Sequence, residues 1–284
     1  MDQDGAEIPL SGIKKASRAS IAGRDRQAPN KAVKSPYMLK IPVCFTLDNL
    51  GDAADLYRGN IAVPRPPGSN YALETGVPAL LDLCARHGLP ITYFVEGWSA
   101  EHYPDLVREM QKRGVVIGMH GWQHEIWHLL DDAEVDTLVK RAHESHTRTL
   151  GKPPTIFRAP GGKTTPYTQK LLAELGYEID ASYHEHAKPS RALGQLVNIP
   201  YQWPGVDATH WLWHKRSPAE ALHQWQLTID HAVTAQTPLT FIFHSHVMGM
   251  QPERLAVGEA LIERVLADAR LQVMSLTTLR EGLL

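Results

Sequence analysis

Residues 118–125, Gly-Met-His-Gly-Trp-Gln-His-Glu, set His120 and His124 four apart directly after the apolar run Val115-Val116-Ile117. That is a metal-ligand spacing. Imidazole nitrogens are the commonest protein ligands for zinc-like ions, and a catalytic centre needs about three protein ligands so that one position stays open. The chain holds 15 histidines, so such a pair also arises by chance and gains weight only from chemistry elsewhere. Asp48 with Asn49, Arg158, Asp180 and His244 supply it. They stand at the ends of separate short apolar runs, where the loops of parallel α/β folds gather their chemistry.

These groups need a scaffold that brings strand ends together. From Ile41 onward, short apolar runs alternate with longer amphipathic ones, the pattern of βα units around a largely parallel sheet. Strands are expected at residues 41–47, 91–95, 115–118, 155–158, 178–181, 195–199, 239–244 and 271–275. Helices are expected near 74–87, 101–113, 132–150, 165–175, 218–235 and 253–268. His87-Gly88, Arg113-Gly114 and Leu175-Gly176 punctuate helix ends, where glycine accepts a left-handed conformation. No fixed-period repeat and no internal linker divides the pattern. The expectation is an α/β fold, a distorted (β/α) barrel, forming a single domain over residues 39–284.

Composition narrows the partners. The 284 residues are 43% hydrophobic and 21% charged, enough for one large core, with a formal net charge of −2. No global field draws such a chain to nucleic acid or anionic membrane, so a small molecule or carbohydrate is the expected partner, with a homo-oligomer left open. Cys44 and Cys84 fall in a strand-like and a helix-like run and read as buried thiols rather than a disulfide framework. Residues 1–38 mix Lys14, Lys15, Arg18, Arg24, Arg26, Lys31 and Lys34 with Asp2, Asp4, Glu7 and Asp25, and read as a disordered lead. They contain no apolar run long enough for a signal peptide or membrane span, which points to a cytoplasmic protein.

Five segments in order resemble the signature of the polysaccharide deacetylase (NodB-homology) family, carbohydrate esterase family four. Thr46-Leu47-Asp48-Asn49 resembles its T-F-D-D motif with Asn in place of the second Asp, and His120-Gly121-Trp122-Gln123-His124-Glu125 its H-G-W-x-H-E histidine motif. Arg158-Ala159-Pro160-Gly161-Gly162 resembles R-x-P-x-G, Asp180-Ala181-Ser182 the start of D-x-S, and Phe241–His246 the strand that ends in the family's catalytic histidine. The resemblance spans nearly all of residues 41–282. It implies a metal-dependent N-deacetylase, a hydrolase of carbohydrate metabolism, with His120, His124 and Asn49 as ligands of one divalent ion, zinc first and cobalt, nickel or iron as alternatives. It further implies Asp48 as general base, Arg158 as the group that orients it, His244 as general acid, and Asp180 as the partner of that histidine. Taken alone, Arg158 also fits a structural ion pair and Asp180 a cap.

Asn49 is a departure, because an amide oxygen ligates without charge and the site should hold its ion more weakly. Asp52 or Asp55 could substitute, or pair with Arg58. His246 could line the pocket, and His184 and His186 could meet substrate or solvent. Tyr201, Trp203, Trp211 and Trp213 offer flat faces for sugars or planar groups, or a loop anchored by buried rings. Trp122 and Trp127 are expected to pack around the histidines. Two other readings accompany N-deacetylation: hydrolysis of a cyclic imide or ureide, and a degenerate, non-catalytic carbohydrate-binding member in which Asn49 is the lesion.

Overall fold

Apolar residues on both faces make Ile41–Asp48 (β1) a central strand, and the parity along it divides two layers. Val43, Phe45 and Leu47 pack outward against helices, whereas Cys44, Thr46 and Asp48 face the concave side of a curled sheet. The computed structural model describes residues 40–283, and the expected lead, residues 1–38, lies outside the described residues.

The remaining strands are β2 (Ile91–Val95), β3 (Val116–Met119), β4 (Ile156–Phe157), β5 (Ile179–Asp180), β6 (Ser190–Arg191), β7 (Val197–Asn198), β8 (Leu239–His244) and β9 (Leu271–Val273). Their order is β6-β7-β5-β4-β3-β2-β1-β8, with β9 on the lower half of β1. All pairings are parallel except that of β6 with β7. The sheet curls into a distorted half-barrel. Beyond β7 the chain crosses the remaining gap by two isolated parallel bridges, Tyr183 with Tyr201 and Val206 with Ile242.

Cys44, Phe94, Ile156, Ile179, Ala181, Val197 and Ile199 fill the lower interior, and Leu276 and Leu279 of the short helix Leu276–Glu281 plug it from below. The outer faces of β1, β2 and β8 pack on helices Val77–Arg86, Pro218–Ala235 and Pro252–Ala267. Those of β3 and β4 pack on Asp132–Leu150 and Pro166–Glu174. A capping box at Asp131 and Glu134 starts the longest helix and Gly151, left-handed at φ 72°, ends it.

Each expected strand forms, four of the eight shortened, while β6 is an additional strand. The helix expected over 101–113 is two, Gly97–His102 and Pro104–Lys112. Pro104 has no N–H to continue the first helix but is well placed to open the second. Helix Ala53–Tyr57 and single π-helical turns at Ala72–Gly76, Thr209–Trp213 and Ser245–Gly249 were also not anticipated. Both cysteines are buried and free. Among the described residues no helix is long and apolar enough to cross a membrane.

Candidate active site

Side chains at the upper, C-terminal rim of the sheet converge because each occupies the inward parity of its own strand. Asp48 lies beside His244 across the β1–β8 register. Arg158 follows Phe157 of β4, and His120 follows Met119 of β3. Asp48, Asn49, Arg58, His120, His124, Tyr201, Trp203, Trp213, His244 and His246 are among the residues that line one cavity of about 240 Å³.

Arg158 is buried and carries the best-connected charge of the site. Its Nη1 donates to Asp48 Oδ1 at 2.6 Å and to Thr46 Oγ1 at 2.8 Å, and its Nε donates to the Ala181 carbonyl at 2.9 Å. The guanidinium carbon lies 4.0 Å from the centroid of Phe94. The Asp48 carboxylate is thereby fixed in one orientation at the cavity wall.

His244 donates from Nδ1 to Asp207 Oδ1 at 2.5 Å, and its backbone N–H donates to Asp207 Oδ2 at 2.8 Å. Burial opposes charging this imidazole, but the Asp207 carboxylate outweighs it and raises the pKa above the ordinary histidine value. Asp207 therefore takes the place expected of Asp180, and the reason is parity. Ile179 and Ala181 face the interior, so Asp180 between them points to the helix layer, where it accepts from Gln169 Nε2 and from the Ser182 N–H. No motif marked Asp207. It follows Val206, whose bridge to Ile242 sets it against the end of β8.

The histidine pair occupies the facing wall. His120 donates from Nδ1 to the Arg158 carbonyl at 2.9 Å, which leaves Nε2 with its lone pair. Burial holds its pKa down at about 3, so the ring is neutral. The rings of His120 and His124 lie 5.0 Å apart. His124 is left-handed at φ 68°, in a turn held by Glu125, whose carboxylate accepts the Trp122 and Gln123 N–H groups. Burial, then the neighbouring His120 and Arg58, push its pKa well below the usual value. Trp127 is fully buried and donates to Thr168 Oγ1, while Trp122 packs under Arg141.

Asn49 is also left-handed, at φ 67°. Its carbonyl accepts from Tyr93 and the next N–H, of Leu50, donates to the buried Glu96 at 3.0 Å. The side-chain oxygen of Asn49 is buried and has no hydrogen-bond partner. Asp52 and Asp55 do not replace it: Arg65, with Asn70 and Asn60, binds their carboxylates. Among the described residues no three His, Cys, Asp or Glu side chains form a metal-type group. A third ligand beside the two histidines would be the amide of Asn49.

The aromatic segment splits in two. Trp211 is buried against Trp225, whereas Tyr201, Trp203 and the exposed Trp213 line the cavity, with the last two rings 4.8 Å apart. His184 approaches Asp180 at 3.8 Å and does not line the cavity.

Residues 67–179 match the family model for polysaccharide deacetylase. A peptidoglycan deacetylase of Helicobacter pylori is 30% identical over 138 residues, 48% of this chain and 45% of that protein. The chain spans about half or less of the length of the curated relatives it matches first. Among solved structures, a Mycobacterium smegmatis protein assigned as a polysaccharide deacetylase superposes with a TM-score of 0.74 at 24% identity, over 88% of this chain and 92% of that one. An allantoinase superposes with a TM-score of 0.71 at 21% identity, over 87% and 91%. The half-barrel is the polysaccharide deacetylase fold. Residues 67–179 thus match the polysaccharide deacetylase model, and the described residues share the fold of that family.

Proposed function

We propose that the protein is a metal-dependent N-deacetylase acting on an amino sugar or another small N-acyl compound, in the cytoplasm. The observation that carries this reading is the pairing, in one cavity, of a carboxylate clamped by arginine with an imidazole clamped by a second carboxylate. Amide hydrolysis needs a base for water and an acid for a poor nitrogen leaving group. Asp48 takes the proton of the attacking water, with Arg158 holding its orientation. His244, whose proton affinity Asp207 raises, gives its Nε2 proton to the departing nitrogen as the C–N bond breaks. The deacetylase name of the H. pylori relative agrees with this chemistry.

The residues also suit a divalent ion. His120 presents a free Nε2, His124 stands beside it, and the unpartnered oxygen of Asn49 is buried at the same wall. Arg58 Nη2 donates to His124 Nδ1 at 3.3 Å, so ligation by His124 requires this exposed arginine to release it. A bound ion, zinc by preference, would polarise the acyl carbonyl and acidify water.

A second reading, hydrolysis of a cyclic imide or ureide, draws support from the small cavity walled by Tyr201, Trp203 and Trp213, which suits a flat ring. Amine release from acetylated sugars and acetylated amines, and ring opening of cyclic imides to the half-amide acid, are assayed with added zinc for the wild type, Asp48→Ala and Asn49→Asp. Turnover of acetylated compounds, lost by a factor of roughly a hundred or more in Asp48→Ala, and tighter zinc binding by Asn49→Asp are expected. Turnover of imides alone would install the second reading. Sugar binding without any turnover would identify a binding member.

A further inference from the structure

Arg58 ends the helix Ala53–Tyr57 at the joint between two cavities. One is the 240 Å³ cavity of Asp48 and His244, and the other is a neighbour of about 430 Å³ lined by Arg58, Ser69, Asn70, Tyr71, Ser245 and His246 among others. Among the described residues the Arg58 side chain is in no ion pair, and its one hydrogen bond is the 3.3 Å contact to His124.

The carboxylates near it are already satisfied. Asp52 is buried and accepts from the Arg65 side chain and backbone and from Asn70 and Tyr103, and Asp55 accepts from Arg65 and Asn60. Of the two arginines in this wall, Arg65 is therefore committed to Asp52 and Asp55 and Arg58 is not. A guanidinium offers a planar fork of N–H donors that fits carboxylate or phosphate in bidentate fashion. A neutral acetylated sugar polymer has no anion to pair with it.

We propose that Arg58 anchors an anionic group of the substrate, so that the molecule hydrolysed is a small N-acyl compound bearing a carboxylate or phosphate. The scissile amide lies between Asp48 and His244, and the anion lies in the adjoining cavity. This rests on the hydrolase reading of Asp48 and His244, and the test separates the two.

Matched substrates are compared: an N-acetyl amino acid with its primary amide, and an N-acetylated amino-sugar phosphate with the unphosphorylated sugar. The wild type should prefer the charged member of one pair by roughly ten- to a hundredfold in kcat/KM, as expected of a charge-assisted hydrogen bond. The pair that responds tells carboxylate from phosphate. Arg58→Gln should abolish the preference chiefly through KM, and Arg58→Lys should keep part of it. Calorimetry with N-acetylglycine and with inorganic phosphate reads binding without turnover, and thermal melting confirms folding of each variant. Anion binding that Arg58→Gln loses, in a protein that hydrolyses nothing, would uphold the anchor and refute the deacetylase. Equal kcat/KM within both pairs, or anion binding unchanged in Arg58→Gln, would overturn the anchor.

Discussion

At the scale of single residues, the site is governed by who holds whom. Asp48 and His244 are adjacent in register, yet each is bound by a different counter-charge, Arg158 for the first and Asp207 for the second. Opposite environments of this kind separate a base from an acid. Asp207 raises the pKa of His244 against the opposing effect of burial, so the protonated form persists to higher pH than in an ordinary histidine, whose pKa is about 6.5. Asp207→Asn removes the largest influence that raises this pKa, and the basic limb of the kcat/KM profile should move to lower pH. A limb that stays in place would remove His244 from the role of acid. Asp180→Asn, which faces the helices, should leave that limb where it is.

At the scale of elements, two turns carry residues in the left-handed region, Asn49 after β1 and His124 after β3. Such a conformation is costly for a side-chain-bearing residue and persists where surroundings hold it. Glu125 does so for the histidine turn, and Glu96 with Ser99 does so around Leu50 for the other. Burial raises the Glu96 carboxyl to about 8. Its unfolded value is about 4.3, so between these pH values the native state retains a proton that the unfolded chain has lost. Stability from this group therefore falls as pH rises across that window. Glu96→Gln keeps an acceptor for Leu50 but cannot ionise. Its melting temperature relative to wild type should rise progressively from about pH 4.5 to pH 8, and parallel curves would refute a buried titrating Glu96.

At the scale of the whole molecule, an incompletely closed barrel depends on what fills its lower end. Leu276 and Leu279 seal the interior beneath Cys44 and Phe94, and β9 just before them pairs with β1, the strand that bears Asp48. Leu276→Ala should destabilise the protein by about 2–5 kcal/mol, the usual range for a buried leucine, as read from denaturant unfolding. A smaller loss would mean that the plug is loosely packed. At temperatures where the variant stays folded, its KM should match wild type, because the plug lies at the end of the barrel opposite the catalytic rim.

Much of this was legible in the chain before any coordinates. Runs such as residues 91–95 and 239–244 become strands without change of bounds because apolar side chains there have no alternative but a sheet covered on both faces. Four of the five motifs point to Asp48, His120, His124, Arg158 and His244, and the other to Asp180, which the structure turns away from the cavity. Parity was legible too, since apolar residues on either side of Asp180 already direct it outward. Asp207 and Arg58 carried no local mark. One is 37 residues from His244 and the other 66 from His124. Their chemistry exists because the curl of the sheet and the crossing after β7 bring loop residues onto strand ends. Local patterning selects the elements and the face each side chain takes; contacts between distant loops depend on how the closed edge of the barrel is spanned, which no short-range pattern encodes.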